Sequence, residues 1–356
     1  MKNSRNVLKF KKQVTMKKIL IFHTAFIGDI VLSTALVKNI KKLYPQSEIT
    51  YVTTPAGKAI LSNNPHLKEV IAYDKRGKNK GIKGMLSLAK ELRENKFDIA
   101  YIPHRYLRSS LICFLAKIPS RIGYDISEGK LFLNKKVTYR KDLHEVDRLL
   151  ELLGTDCDDK KLELFPSEKD KEYIDNFLSD KDIKDKKIIA LAIGSKWNTK
   201  RWPIEYFNEL IEKLEKIEDI KLILVGGNEE KELSVKYTDK TINAIGETSL
   251  LQLAELIRRC DLIVTNDSSP IHIASAFDTY IMAIFGATVK ELGFYPWSKN
   301  SEVIENNSLT CRPCGLHGGN ECPLKHFKCM LEIKSDFVYE RILAVLKEKE
   351  SENPCN

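Results

Sequence analysis

Three short segments of the sequence combine carboxylate, hydroxyl, basic and glycine residues, and each follows an apolar stretch of strand length. The first, residues 24–29, ends in Gly28 and Asp29 and runs into residues with helical periodicity. A carboxylate placed there beside a cleft can take a proton from a sugar hydroxyl as a general base. Gly28 permits a close approach of the backbone. The alternative is that Asp29 only caps the N-terminus of the helix.

The second segment, residues 194–203, supplies hydroxyl and basic side chains immediately before a predicted helix. Ser195, Lys196 and Lys200, next to a helix N-terminus, suit the binding of a pyrophosphate. The alternative is a solvated basic loop in which Trp202 packs on the helix. The position of the loop directly after a strand favours ligand binding, because ligands of parallel sheets bind beyond the carboxyl ends of the strands.

The third segment, residues 265–272, repeats this arrangement of strand end, polar turn and helix start. Backbone amides near Ser268 and Ser269 can hold a phosphate, and Asp267 can accept a hydrogen bond from a hydroxyl of the ligand. A lone helical histidine is more often structural. The loop position nevertheless favours a contact of His272 with the same ligand.

A further basic group follows the predicted strand 97–102. His104, Arg105 and Arg108 lie where the loop should face the same cleft, so we expect them to bind acidic groups of an acceptor, such as phosphates or carboxylates. Ordinary surface charge is the alternative.

Four of the eight cysteines cluster near the C-terminus with two, seven and six residues between them. This spacing indicates a structural zinc or iron site at Cys311, Cys314, Cys322 and Cys329. Reduced structural cysteines and disulfides are the alternatives. No catalytic metal is expected, because catalytic sites keep an open position and use fewer thiols.

The elements that must position these residues alternate between strands and helices in two series. The first begins with a strand at 18–24 and a helix at 29–43, and the second begins with a strand at 187–193, after a polar linker at 162–170. Such alternation predicts α/β units with parallel sheets, and two such units enclose a cleft. Neither first strand is followed by a G-x-G-x-x-G or Walker A loop, which argues against dehydrogenases and P-loop enzymes.

The bulk composition fits a two-domain globular protein of 356 residues that is 43% hydrophobic. No apolar run approaches the length that spans a bilayer. The net charge of +9 is not accompanied by a nucleic-acid-binding motif, so no nucleic-acid partner is expected. Residues 1–15 are basic, make a poor signal peptide, and are predicted to be a disordered extension, with Met16 as an alternative start.

Several motifs in series resemble glycosyltransferase family 9, the ADP-heptose:lipopolysaccharide heptosyltransferases. The cysteine cluster is similar to that of the heptosyltransferase II type, and the resemblance extends from about Met16 to Lys347. The motifs that carry it are Gly28-Asp29 with Thr34, Arg121-Ile122-Gly123-Tyr124, His144-Glu145-Val146-Asp147-Arg148, Lys200-Arg201-Trp202-Pro203, and Asp267-Ser268-x-Pro270-x-His272.

The resemblance implies a GT-B fold, with two Rossmann-like domains facing across a cleft. It implies an acceptor-binding domain at 16–165, a nucleotide-sugar-binding domain at 166–334, and a C-terminal helix and tail at 335–356 that packs back on the first domain. The chemistry implied is an inverting, metal-independent transfer of heptose from ADP-heptose to a lipid A/Kdo-type or heptosylated core acceptor. The enzyme would act in the cytoplasm, in peripheral contact with the inner membrane.

The resemblance also assigns roles to the residues. Asp29 matches the catalytic base. Ser195, Lys196 and Lys200 match donor-binding positions, with Lys200 neutralising the diphosphate. The loop of Asp267, Ser268 and His272 matches the loop that meets ADP and the sugar. Ser269 departs from the family, which usually has glycine there. The alternative functions are a nucleotide-sugar isomerase or hydrolase of the same fold, a non-enzymatic binding protein, and a protein heptosyltransferase.

Overall fold

The first half of the chain forms one parallel six-stranded sheet with helices on its faces. The computed structural model describes residues 16–352, so the predicted extension at 1–15 lies outside the described residues. The strands are β1 (Lys18–Phe22), β2 (Glu48–Thr53), β3 (Glu69–Ala72), β4 (Ile99–Ile102), β5 (Ser120–Tyr124) and β6 (Lys135–Val137). The helices are α1 (Ile27–Leu32), α2 (Thr34–Leu43), α3 (Pro55–Leu61), α4 (Gly81–Glu94), α5 (Leu107–Leu115) and α6 (Glu145–Glu151).

The second half repeats this architecture. Its strands are β7 (Lys187–Ala192), β8 (Ile220–Val225), β9 (Ile242–Asn243), β10 (Leu262–Asn266), β11 (Tyr280–Phe285) and β12 (Ser301–Glu305). Its helices are α7 (Glu168–Leu178), α8 (Ile204–Leu214), α9 (Leu250–Arg258), α10 (Ser269–Ala274), α11 (Lys328–Leu331) and α12 (Ser335–Glu352).

The strand order places the polar loops at the centre of each sheet. The orders are β3-β2-β1-β4-β5-β6 and β12-β11-β10-β7-β8-β9, with every pair parallel. The direction of winding reverses between β1 and β4, and again between β7 and β10, and ligands bind at such points. The four predicted binding loops follow these four central strands.

The strands are buried on both faces, which explains their continuous apolar runs. Ile19, Leu20 and Ile21 of β1 are fully buried, as are Leu262, Ile263 and Val264 of β10. Parallel strands covered by helices on both sides require this composition, whereas strands with one wet face alternate apolar and polar residues. The two central strands are therefore rigid supports for the loops that follow them.

The predicted helix at 29–43 is two helices. Ser33 lies between α1 and α2, and its hydroxyl donates to the carbonyl of Ile30 and lies 2.6 Å from the hydroxyl of Tyr51. A serine that bonds to the preceding turn competes with regular helical hydrogen bonding. The result is that α1 is a separate short helix at the cleft.

The predicted linker at 162–170 contains the start of a helix. Ser167 caps α7 by accepting a hydrogen bond from the N–H of Asp170, whose carboxylate accepts one from the N–H of Ser167. This reciprocal pair favours a helix start. Before it, Asp159 and Glu163 form ion pairs with Lys38 of α2.

The prediction that the C-terminal helix packs on the first domain is wrong. Val338, Ile342 and Val345 of α12 are buried in the core of the second half, together with residues of α8. Arg341 pairs with Glu302 of β12 at 2.9 Å. The apolar face of α12 therefore covers the second sheet.

Candidate active site

A cleft of about 250 Å³ lies between the two halves at the carboxyl ends of the central strands. It is lined by α1 of the first half and by the loops after β7 and β10 of the second. All nine residues predicted for catalysis and donor binding line this one cleft, namely Gly28, Asp29, Ser195, Lys196, Lys200, Asp267, Ser268, Ser269 and His272.

Asp29 lies in the first turn of α1, and its carboxylate faces the cleft. Its Oδ2 atom accepts a hydrogen bond from the N–H of Phe26 at 3.2 Å, so the carboxylate also caps the helix. Burial raises the pKa of Asp29 to about 6, against the opposing effects of the Phe26 N–H, Arg105 and Lys200. A carboxylate of this pKa is ionised at neutral pH and is more basic than an ordinary aspartate, which suits a general base.

At Gly28 the two halves approach each other closely within the cleft. A β-carbon on Gly28 would lie 2.5 Å from Cδ2 of the His272 ring, so any larger residue would push α1 and α10 apart. The ring of His272 is buried, its Nδ1 atom has no hydrogen-bond partner, and burial lowers its pKa to about 4. Gly28 thus allows the close contact between α1 and the His272 ring that borders the cleft.

Lys200 and Asp267 form the charged centre of the opposite wall. Lys200 Nζ lies 2.6 Å from Asp267 Oδ2, and both side chains are nearly buried, with exposed fractions of 13% and 8%. The hydroxyl of Thr288 donates to the same oxygen of Asp267 at 2.5 Å. The ion pair with Asp267 fixes the ammonium of Lys200 at the edge of the cleft, where the ammonium can bind an anionic ligand.

Asn266 connects the loops after β7 and β10, and it was not among the predicted functional residues. Its side-chain amide donates to the carbonyls of Ile193 and Gly194, and its Oδ1 accepts from the N–H of Trp202. The side chain is fully buried at the end of β10. The feature of the sequence that could have indicated this role of Asn266 is its place at the polar end of a strand.

Ser269 departs from the family, which usually has glycine at this position. It lies in the first turn of α10 and has no positive φ, so the backbone there does not require glycine.

A second, basic pocket of about 330 Å³ opens beside the ends of β1 and β4. His104 and Arg108, which were predicted to face the cleft of Asp29, line this second pocket instead. Lys75, Arg76 and Tyr106 line it too, and none of these three was predicted. Burial, followed by repulsion from Arg76 and Arg108, lowers the pKa of Lys75. Three cations therefore share one pocket without a carboxylate lining it, which is the electrostatic environment that an acidic ligand needs.

Arg105 is separated from the other two predicted acceptor residues. Its guanidinium lies 5.0 Å from the ring centre of Tyr139 and is close enough to Asp29 to lower the pKa of that carboxyl. His104 is buried instead, with Nδ1 3.0 Å from the hydroxyl of Ser109, and burial lowers its pKa to about 4. His104 is therefore a neutral residue in the wall of the basic pocket. Arg105 does not line that pocket, and its charge acts on Asp29 instead.

The comparison with known families agrees with this geometry. The model of glycosyltransferase family 9 (heptosyltransferase) matches residues 85–326, more than half of the 356 residues. The chain belongs to glycosyltransferase family 9.

Individual relatives of this family match nearly the whole chain. Lipooligosaccharide heptosyltransferase 2 of Campylobacter jejuni subsp. jejuni serotype O:2 is 27% identical over 338 residues, covering 93% of this chain and 98% of the relative. Lipopolysaccharide heptosyltransferase 2 of Escherichia coli K12 is 29% identical over 355 residues, covering 94% and 100%. The solved structure of E. coli ADP-heptose lps heptosyltransferase II superimposes with a TM-score of 0.76 at 26% identity, covering 94% and 100%. The predicted GT-B fold and transferase class are confirmed.

The cysteine loop, residues 311–329, adds a wall to the cleft of this family 9 enzyme that the sequence analysis did not anticipate. Leu316 and His317 from this loop line the cleft beside Lys200, and the ring of His317 lies 6.5 Å from that of Phe26 in α1. None of the four cysteines of this loop is among the residues that line the cleft. They are free thiols, with Cys329 buried and Cys311, Cys314 and Cys322 half-buried.

The family 9 chain presents no hydrophobic span among its described helices. None of the helices within residues 16–352 is long and apolar enough to cross a membrane.

Proposed function

We propose that this enzyme transfers heptose from ADP-heptose to a lipopolysaccharide inner-core acceptor, with inversion at the anomeric carbon and with Asp29 as the general base. The observation that carries the proposal is the placement of Asp29 on one wall of the cleft and the Lys200–Asp267 pair on the other. The relatives that match nearly the full chain are lipopolysaccharide and lipooligosaccharide heptosyltransferases.

The reaction follows from the charges on the two walls. The Asp29 carboxylate takes the proton of the acceptor hydroxyl as its oxygen forms a bond to the anomeric carbon. The bond between that carbon and the diphosphate oxygen breaks from the opposite face, so the configuration inverts. ADP leaves with additional negative charge, which the ammonium of Lys200 stabilises in a largely water-excluded site. Electrostatic stabilisation of this kind needs groups that are held in place before the reaction, as the Asp267 contact holds Lys200.

A donor and acceptor screen tests the proposed function. Purified enzyme is incubated with ADP-, GDP- and UDP-sugars, each with Kdo-lipid A, with heptosylated core, with a protein acceptor, or with no acceptor. We expect transfer only from ADP-heptose and only with a lipopolysaccharide-type acceptor. Rapid isomerisation or hydrolysis of the donor without an acceptor would show an isomerase or hydrolase instead. Binding of donors without turnover under any condition would show a binding protein.

We assign the acidic groups of the acceptor to the basic pocket of Lys75, Arg76 and Arg108. This pocket lies after the same strands, β1 and β4, whose loops carry Asp29 and Arg105. A phosphate or carboxylate in it would place the acceptor along the wall that holds the base. Because such an acceptor is anchored in lipid, we propose peripheral contact with the inner membrane from the cytoplasmic side.

Removing charge from this pocket should weaken acceptor binding without affecting the donor. For Lys75→Met and Arg108→Gln, we expect the acceptor KM to rise about tenfold each, the size of one lost hydrogen bond to a charged group. The donor KM should stay unchanged. The matched controls are Lys90→Met and Arg93→Gln, which remove exposed charges from α4 outside both pockets. Equal acceptor KM values for pocket and control variants would exclude the pocket as the acceptor site.

A structural metal at the cysteine cluster remains a prediction. Four thiols suit zinc or iron, but within residues 16–352 no three His, Cys, Asp or Glu side chains are positioned to hold a metal ion. The cluster as described does not form a site, and no step of the reaction depends on one. Metal analysis of freshly purified, untreated protein tests the prediction: about one equivalent per chain is expected, and less than about 0.2 equivalents contradicts it.

A further inference from the structure

The cysteine loop is fixed against the donor site by contacts that do not involve its cysteines. At its start, the guanidinium of Arg312 is nearly buried and pairs with Glu305 at 2.8 Å. The same guanidinium donates to the backbone carbonyls of Gly286, Asn306 and Thr288. The side chain of Thr288 in turn contacts Asp267. The loop is thereby attached to the strand ends that carry the donor-binding residues.

A second attachment lies directly beyond His317. Thr199 and Gly319 form reciprocal hydrogen bonds: the Thr199 hydroxyl and N–H contact the Gly319 carbonyl at 2.8 and 3.0 Å, and the Gly319 N–H donates back at 2.8 Å. Gly318 has a φ of +72°, and a β-carbon on it would lie 2.8 Å from the Thr199 hydroxyl. Thr199 immediately precedes Lys200. His317 is therefore held beside Lys200 by a tight turn that only glycine accommodates.

The exposure of two apolar side chains, Leu316 of this loop and Phe26 of the other half, indicates that a ligand binds in the cleft. Leu316 is 59% exposed and faces the cleft that Phe26, 53% exposed, borders from the other half. The ammonium of Lys196 lies 4.3 Å from the ring centre of Phe26. Exposed apolar side chains that face each other across a cleft gain burial only when the space between them is filled.

The charges around His317 indicate the chemistry of that ligand. Burial, followed by repulsion from Lys200 and Arg105, lowers the pKa of His317, while Asp267 opposes the shift and Lys196 adds to it. Three cations thus act on the imidazole, and the carboxylate of Asp267 is already engaged by Lys200 and Thr288. The excess of positive charge is suited to an anion such as a diphosphate.

We propose that His317 donates a hydrogen bond to the diphosphate of the bound nucleotide-sugar, and that Leu316 packs on the same ligand. This assignment rests on the proposed function, since it takes the cleft as the donor site. It makes the cysteine loop a third wall of that site, in addition to the loops after β7 and β10. The loop reaches this position through Arg312 and Thr199, so the contact does not depend on a bound metal.

Calorimetric titration of the full chain with ADP tests the assignment, with two variants and one matched control. For His317→Gln we expect an ADP dissociation constant about tenfold higher, the size of one hydrogen bond to a charged group. Leu316→Ala should raise it severalfold. The matched control is Leu324→Ala, because Leu324 lies in the same loop with an exposed fraction of 60% but does not line the cleft. Leu316 and Leu324 are exposed and His317 is only partly covered, so the melting temperatures should equal that of the wild type.

The outcomes separate this assignment from the proposed function. If His317→Gln binds ADP as tightly as Leu324→Ala and the wild type, the role of His317 is overturned while the donor site stands. If the wild type binds none of ADP, GDP and UDP, the proposed function is overturned and the assignment of His317 is overturned with it. Weaker ADP binding by His317→Gln, with unchanged binding by Leu324→Ala, supports the assignment.

Discussion

Replacing Asp29 by asparagine is expected to lower kcat by a factor of about 10² to 10⁴, the usual contribution of a general base. Asparagine keeps the shape of the side chain and can still accept the hydrogen bond from the N–H of Phe26. It cannot take a proton from the acceptor hydroxyl. Donor binding should change little, because the cations that meet the diphosphate lie on the opposite wall. The measurement is steady-state kinetics with both substrates, together with titration of ADP.

The pH dependence of the wild type provides a second test of the same residue. Burial raises the pKa of Asp29 to about 6, and the base acts only when ionised. The rate at saturating donor should therefore fall as the pH drops through about 6, rather than through the lower range of an ordinary aspartate. In Asp29→Asn, the residual activity should lack this decrease. A wild-type rate that stays constant down to pH 5 would contradict the assignment of Asp29 as the base.

A matched variant distinguishes catalysis by Asp29 from helix capping. Asp170 has the same capping geometry in α7, where its carboxylate accepts from the N–H of Ser167 at 2.8 Å, but it does not line the cleft. Asp170→Asn should keep full activity. Because the pKa of Asp29 is raised in the folded state, its charge opposes folding above that pKa, and this cost grows as the pH rises through about 6. Asp29→Asn should therefore melt at the wild-type temperature or slightly above it at neutral pH.

The sequence was sufficient to predict the two parallel sheets and the loops that carry the candidate site. The alternation of apolar strands with amphipathic helices determines the two parallel sheets, and polar residues after the strands mark the ends where loops meet. Asp29, Lys200, Asp267 and His272 are separated by up to 243 residues, yet they line one cleft. They converge because the central strands of both sheets present their carboxyl ends to the same space.

Contacts between distant segments could not be predicted in this way. The apolar periodicity of α12 predicts that one face of the helix is buried. It does not predict which half of the chain covers that face. Leu316 and His317 carry no pattern that distinguishes them from other loop residues. Their position depends on Arg312 reaching the ends of β11 and β12 and on the turn at Thr199.

The grouping of the basic residues was also beyond local sequence reasoning. Arg105 and Arg108 are three residues apart, but α5 begins between them. Arg108 therefore lines the basic pocket, whereas Arg105 does not and instead acts on Asp29. Lys75 and Arg76 join Arg108 from the loop after β3, a strand two positions from β1 in the sheet. Only the strand order brings these loops together.

Replacing Lys200 by methionine is expected to lower kcat/KM by a factor of about 10² to 10³, the range found when one electrostatic contact to a developing charge is removed. Methionine retains most of the length of the side chain and removes only its charge. The loss should appear both in donor affinity and in kcat, because the charge on the leaving diphosphate increases as the sugar bond breaks. Titration of ADP and steady-state kinetics measure the two contributions separately.

Because Lys200 is paired with Asp267, the Lys200→Met variant should also change the stability of the protein. Without the ammonium, the nearly buried carboxylate of Asp267 keeps only the hydroxyl of Thr288 as a described partner, so Lys200→Met should also melt at a lower temperature. The double variant Lys200→Met/Asp267→Asn removes the unpaired charge and should recover the melting temperature without recovering activity. Lys213→Met serves as the control, since it breaks a more exposed ion pair with Asp336 away from the cleft. Recovery of transfer in the double variant would mean that Lys200 acts only by neutralising Asp267, and that another cation meets the diphosphate.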